Sequence, residues 1–381
     1  MRAPVAVVVG TRPEAIKMAP VVRVLGRSRH LAPLLVSTGQ HRQMLDQALA
    51  AFSLVPDIDL GVMAARQTLA DTTARILEGM RRILDERRPA WVLVQGDTTT
   101  ALAGAMAAFY AHIPVGHVEA GLRTDDRNAP FPEEMNRRVV DQLADLYFAP
   151  TASAGRRLRT EGVTPGSVHV TGNTVVDALL ATREAVRADG RAVHGVPKAL
   201  LQGRRLVLVT VHRRESFGEG LRSICAAVRR LVNDTPDVCV ALPVHLNPLV
   251  EGPVRQFLGA HPRIALLPPL SYLDFVALLD RAHLVLTDSG GVQEEAPTFG
   301  KPILVMRDVT ERPEGLAAGV AKLVGTDEDR IYAEAATLLR DETAWRRMAG
   351  GGNPYGDGLA AQRIVTLLER RVPATNARAA V

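Results

Sequence analysis

The chain has 381 residues, more than one ordinary core fills, so two domains are expected. Hydrophobic residues make up 47% and aromatics only 4%, which excludes wholesale disorder and suits helices on parallel strands better than an aromatic-rich sandwich. The formal charge of +5, with no run of five basic residues, argues for a solvated Arg-rich surface and against nucleic acid as a partner.

The opening run MRAPVAVVVG is too short for a signal segment or a membrane span, and no stretch of 18 apolar residues follows. A soluble, cytoplasmic protein without a membrane partner is therefore expected. Val5–Gly10 reads as a buried strand ending in Gly. Pro13–Leu25 reads as a helix, with Pro20 expected to kink or break it. Leu34–Ser37 reads as a strand, Gln43–Phe52 as a helix, and Thr68–Asp85 as a longer helix with Leu69, Ile76, Met80 and Leu84 on one side. Trp91–Gln95, Pro114–Val118 and Leu146–Ala149 are further strands, and the Ala-rich Thr99–Tyr110 is a helix. Ala181–Gly203, charged and Gly-containing, is a candidate hinge. The pattern then restarts. Strands are expected at Leu206–Thr210, Val238–Pro243, Ile264–Leu267, Leu284–Thr287 and Pro302–Met306. Helices are expected at Leu221–Val232, Tyr272–Arg281, Gly291–Phe299 and Arg330–Leu339. Cys225 and Cys239 match no metal motif and are too few for a disulfide framework, so buried free thiols are expected.

Alternating strands and helices imply two doubly wound α/β domains facing across a cleft, with ligands at the carboxyl ends of the strands. The polar residues concentrate there. Asp97, Glu119 and Glu133 lie at or beyond strand ends beside small or turn residues; each suits either acid–base chemistry or an ordinary cap or ion pair. His212 and Arg213 directly follow one strand, and His245 holds the matching place one strand later. Asp288-Ser289-Gly290-Gly291 joins a strand to a helix, which fits a phosphate cradle or a plain capped turn. Arg12 and Lys17 follow the first strand, where a surface role or a diphosphate contact are both open. No dinucleotide or P-loop fingerprint is present, and no His-rich cluster, so neither cofactor nor metal is expected.

These segments, in this order, resemble the non-hydrolysing UDP-N-acetylglucosamine 2-epimerases of bacterial type. The matching stretches are Gly10-Thr-Arg-Pro-Glu-Ala-Ile-Lys17, Gln40-His-Arg-Gln43, Gly96-Asp-Thr-Thr-Thr100 and Gly116-His-Val-Glu-Ala-Gly-Leu-Arg-Thr124. They continue with Pro132-Glu-Glu, His212-Arg-Arg-Glu-Ser-Phe-Gly218, Pro243-Val-His-Leu-Asn-Pro248, Asp288-Ser-Gly-Gly-Val-Gln-Glu-Glu295, Arg307–Pro313 and Asn353-Pro-Tyr-Gly-Asp-Gly358. The resemblance implies the fold of the GT-B glycosyltransferases. Its Rossmann-like domains would fall at 1–180 and 204–356, with a helix at 357–371 crossing back to the first. It also implies a homodimer.

For the site, the resemblance implies UDP on the second domain, with Ser289, Gly290 and Gly291 at phosphate, Glu295 at ribose, and Leu270 and Phe275 beside uracil. Arg12, Lys17, His245 and Arg312 match further ligand-binding positions. Asp97, Glu119, Glu133 and His212 match the residues implicated in catalysis. Gln40, Gln43, Arg66, Glu133, Arg213 and His245 match a second site at which UDP-N-acetylglucosamine, the substrate, acts as its own activator. The implied reaction eliminates UDP to 2-acetamidoglucal and adds it back to give UDP-N-acetylmannosamine. Asp125 departs from the family, which often has Gly there. Three rivals remain: a hydrolysing epimerase, a glycosyltransferase and a silent sugar-nucleotide sensor.

Overall fold

A computed structural model describes residues 2–40, 42–64, 67–190, 193 and 195–371. The chain forms two compact units. The first holds the described residues up to Ala178 and from Tyr355 onward; the second is Leu179–Pro354.

The first unit is built on a parallel sheet of β1 (Ala3–Val9), β2 (Leu31–Ser37), β3 (Ile58–Asp59), β4 (Trp91–Gln95), β5 (Val115–Val118), β6 (Leu146–Ala149) and β7 (Val168–Val170). Its strand order is β3-β2-β1-β4-β5-β6-β7. The second is built on β8 (Arg205–Thr210), β9 (Val238–Pro243), β10 (Ile264–Leu267), β11 (Leu284–Thr287), β12 (Ile303–Val305) and β13 (Ala321–Leu323), also parallel, in the order β10-β9-β8-β11-β12-β13. Both are doubly wound, Rossmann-like sheets, the fold class expected. In each the winding reverses once, between β1 and β4 and between β8 and β11, and a ligand crevice opens at such a reversal.

The sequence makes these sheets because the strands are apolar on both faces. In β8, Leu206 and Leu208 pack with Cys239, Ala241, Val285 and Ile303 on one side. Val207 and Val209 pack with Val240, Leu242, Leu284 and Leu286 on the other, against Leu221, Ile224, Val228 and Leu231 of the helix Glu219–Asp234. Both cysteines are buried and free, and burial pushes the Cys225 thiol up to about 12.

Every strand expected from the sequence is present. The three additional strands, β3, β7 and β13, are sheet edges of two or three residues, too short to carry a periodic signal. Pro20 does not break its helix, which runs unbroken over Arg12–Arg27 with Pro20 buried inside it. The helix expected over Gly291–Phe299 is α-helical only over Gly290–Glu295 and continues as a 3-10 turn over Ala296–Phe299, where Pro297 removes a donor. The candidate hinge contains structure: the helix Thr174–Ala188 occupies its first half and a short helix, Lys198–Leu201, lies near its end.

In the first unit, the helix Ala360–Glu369 packs with its Ala360, Ala361, Ile364, Val365 and Leu368 face buried. Its first-turn N–H donors, which lack partners within the helix, find one from a distant part of the chain. The Asp177 carboxylate accepts the Ala360 and Ala361 N–H groups at 3.3 and 2.9 Å. This is an N-cap supplied from a distant helix. Asp177→Ala is expected to lower unfolding free energy by about 1–2 kcal/mol in urea titration. An unchanged midpoint would show the cap to be idle.

Candidate active site

In the first unit the β1 end enters its helix through Gly10 and Thr11. Gly10 is required by close approach: a Cβ there would stand 2.1 Å from the Thr100 hydroxyl and 2.3 Å from that of Thr38. Those two hydroxyls lie 3.0 Å apart, and Thr100 donates to Gln40 Oε1 at 3.0 Å. Glu14, one turn into the helix, is buried. Its Oε2 accepts the Gly10 N–H at 3.0 Å and the Thr11 hydroxyl at 2.7 Å, and its Oε1 accepts the Thr98 hydroxyl at 2.6 Å. Desolvation outweighs these bonds and pushes the Glu14 carboxyl up to about 7.

Beyond β4, the turn bearing Asp97 is held from the helix Glu133–Leu143. Asn136 Nδ2 donates to the Asp97 carbonyl at 2.9 Å, and the Arg137 guanidinium pairs with the Asp97 carboxylate. His117 in β5 lies 2.8 Å from the Gly96 carbonyl through Nε2 and 2.6 Å from Asp141 through Nδ1. Burial would raise Asp141, but the His117 ring and Arg123 hold it below the usual carboxylate range. Beyond β5, Glu119 has a left-handed backbone, φ 69°, a conformation a non-glycine residue adopts only when its surroundings hold it. Its carboxylate receives Lys17 Nζ at 2.5 Å and Gln95 Nε2 at 2.8 Å. Lys17 and Glu119 are thus brought together, largely out of water. Glu133 is half-buried as the first residue of its helix, and Gln43 is exposed. Arg66 lies outside the described residues.

The second unit carries different chemistry at its own reversal. Asp288, beyond β11, is fully buried and accepts the His212 N–H at 2.9 Å and the Arg213 N–H at 2.8 Å. The His212 ring sits 3.2 Å from its other oxygen. Burial opposes ionisation of Asp288, yet the His212 ring and the two N–H donors outweigh it and lower its pKa. Asp288 therefore fixes the loop beyond β8. His212 and His245 stack with ring centroids 6.2 Å apart. Arg213 Nη2 lies 3.6 Å from where a Cβ on Gly290 would be, so the guanidinium borders the Ser289–Gly291 turn. Ser289 caps the helix that Gly290 and Gly291 begin. Glu295 ends that helix, half-buried, and Arg312 pairs with Glu294. Leu270 and Phe275 pack partly buried against the β8–β9–β11 apolar cluster.

Sequence reading missed Glu14, Arg137 and Asp288 as working residues. Glu14 and Asp288 stood inside recognised segments, but nothing in a sequence says that a carboxylate there turns inward to hold a loop. Arg137 lies on a helix whose buried face is largely polar. Among the described residues no group of three or more His, Cys, Asp or Glu is arranged to hold a metal ion, and no helix is long and apolar enough to cross a membrane.

Two doubly wound sheets, one presenting carboxylates and a lysine at its winding reversal and the other histidines, arginine and a Gly-rich turn, define a nucleotide-ligand enzyme of the Rossmann-like α/β class. A family model described as UDP-N-acetylglucosamine 2-epimerase matches residues 23–369. The chain is 49% identical over 365 residues to the UDP-N-acetylglucosamine 2-epimerase of Escherichia coli K12, covering 95% of this chain and 97% of that protein. It is 49% identical over 358 residues to that of Bacillus subtilis 168, covering 94% and 93%. A crystal structure of UDP-GlcNAc 2-epimerase from Neisseria meningitidis bound to UDP-GlcNAc superposes with a TM-score of 0.86 at 42% identity, covering 97% of this chain and 100% of that one. The chain belongs to the UDP-N-acetylglucosamine 2-epimerase family.

The raised Glu14 pKa has a consequence for stability. Its folded pKa, about 7, lies above the unfolded value of 4.5, so the favourable protonated state is fully present below 4.5 and is lost as pH rises towards 7. Glu14→Gln removes this dependence. The variant's unfolding free energy relative to wild type is expected to improve by roughly 2–3 kcal/mol between pH 5 and pH 8. A difference that stays flat across that range would contradict the assignment.

Proposed function

We propose that this protein interconverts UDP-N-acetylglucosamine and UDP-N-acetylmannosamine without net hydrolysis. The observation that carries the reading is what gathers at the strand ends of the two sheets: paired carboxylates and a lysine in the first unit, histidines, an arginine and a Gly-rich turn in the second. The C2 hydrogen of the sugar is not acidic, because no carbonyl adjoins it. Planarity at C2 is reached instead by elimination. The C1–O bond breaks with its electron pair going to UDP, the C2 proton passes to a carboxylate, and the C1=C2 bond of 2-acetamidoglucal forms. In the return step the UDP oxygen rejoins C1 while C2 takes a proton on its opposite face.

Asp97, Glu119, Glu133 and His212 are the proposed acid–base set, since two faces must be served. Lys17 is ion-paired with Glu119 and holds that carboxylate in place. Ser289, Gly290 and Gly291 take the diphosphate with Arg12. Glu295 takes the ribose, and Leu270 and Phe275 flank uracil. His245 and Arg312 are further substrate contacts. Cations beside the departing diphosphate stabilise charge that appears only as the bond breaks. The elimination needs no nicotinamide. We also propose activation by a second UDP-N-acetylglucosamine at Gln40, Gln43, Arg66, Glu133, Arg213 and His245, a homodimeric assembly and a cytoplasmic location. Exposed Phe109, Tyr110 and Val139 support the dimer, being large apolar side chains on the outside of the first unit.

Asp97→Asn and Glu119→Gln are each expected to lower kcat by about 10²–10⁴, with UDP affinity by calorimetry changed by less than about threefold. Full activity in either variant would remove that residue from the acid–base set. Loss of UDP affinity matching the loss of rate would make its role one of binding.

A further inference from the structure

Glu14 takes no part in the proton transfers above, yet it sits at the winding reversal with both oxygens occupied. On one side it receives Gly10 and Thr11, the residues that immediately precede Arg12. On the other it receives Thr98, the residue that immediately follows Asp97. β1 and β4, from which these two turns spring, are hydrogen-bonded neighbours. We infer that Glu14 is a positioning residue for the reaction: its buried carboxylate bridges the two turns and fixes Arg12 relative to Asp97. The inference rests on the epimerase reading.

The donor and acceptor pattern explains why a carboxylate is needed. Thr98 Oγ1 accepts the Ala101 N–H at 3.0 Å and donates its own proton to Glu14. The Gly10 N–H cannot reverse. An ionised carboxylate, with an acceptor oxygen on each side, meets all three groups as donors. An amide of the same shape supplies one oxygen and an NH₂. Set towards Gly10 and Thr11, its oxygen leaves NH₂ facing Thr98. Set towards Thr98, it opposes donor to donor at Gly10. Either orientation replaces the charge-assisted bonds by a weaker neutral set or by a donor facing a donor, and so loosens the bridge while leaving the volume filled. Thr98→Val breaks the same bridge from the other end.

The test is steady-state epimerisation, over the full range of UDP-N-acetylglucosamine, by wild type, Glu14→Gln, Thr98→Val and the double variant, normalised to UDP-binding sites. Wild type is measured first; absence of epimerisation there would overturn the functional reading and not the bridge. Each single variant is expected to lose about 10- to 100-fold in kcat per binding site, with a smaller loss of UDP affinity from the displaced Arg12. Because both break one bridge, the double variant is expected to be no slower than about threefold below the slower single variant. A Glu14→Gln enzyme with wild-type kcat per binding site, however reduced its folded fraction, would assign Glu14 a purely structural role and overturn the inference. Multiplicative losses in the double variant would overturn it as well. Should Glu14→Gln fail to fold, Thr98→Val alone decides: wild-type kcat per site there excludes the bridge.

Discussion

A carboxyl group withdrawn from water must find hydrogen-bond partners, and both units use that constraint to hold their strand-end turns. Asp288 gathers the two backbone N–H groups of the loop after β8 and the His212 ring. Glu14 gathers a backbone N–H and two hydroxyls from the turns after β1 and β4. Their balances differ. Backbone donors and an imidazole outweigh burial at Asp288, whereas at Glu14 burial prevails. Remove either acceptor and the loop donors it holds would be left buried without partners, a cost larger than the bond itself. The placement of Arg12, Asp97, His212 and Arg213 all depends on these two groups.

The doubly wound sheet explains why the dependence falls where it does. At a winding reversal the helices leave on opposite faces, so the strand ends are uncovered and the turns there carry polar groups that no helix packs over. Such turns lack a ladder of their own and must be pinned by side chains. In the first unit the pins are Glu14, His117, Asn136 and Arg137; in the second they are Asp288 and the Arg307 guanidinium, which pairs with Glu215 in the loop after β8. Preorganised turns of this kind suit a reaction whose chemistry is all proton transfer and charge stabilisation, since neither tolerates a displaced group.

Much of this was legible in the residues themselves. Continuous apolar runs such as Val5–Val9 and Leu206–Val209 announce strands buried on both faces, and Gly10, Gly96 and the Ser289–Gly291 turn mark where they end. The buried face of the helix Glu133–Leu143 was not legible, because it is made of Glu134, Asn136, Arg137, Val140 and Asp141, while Val139 is exposed. At Pro20 the helix is not broken, because a local rule against proline yields to a helix whose Pro20 face is buried in packing. Candidate acids could be listed from the sequence, but which were paired could not. That Glu119 meets Lys17 across 102 residues of chain, and Asp97 meets Arg137, is a property of the fold.

The central claim is that C2 inverts by reversible loss and return of UDP. The most direct measurement is NMR of UDP-N-acetylglucosamine incubated with the purified protein in deuterated water, without added nicotinamide. The account predicts UDP-N-acetylmannosamine carrying deuterium at C2, deuterium washing into the recovered substrate, and no more than a trace of free UDP. Stoichiometric free UDP with free N-acetylmannosamine, or no exchange at C2 at all, would contradict it.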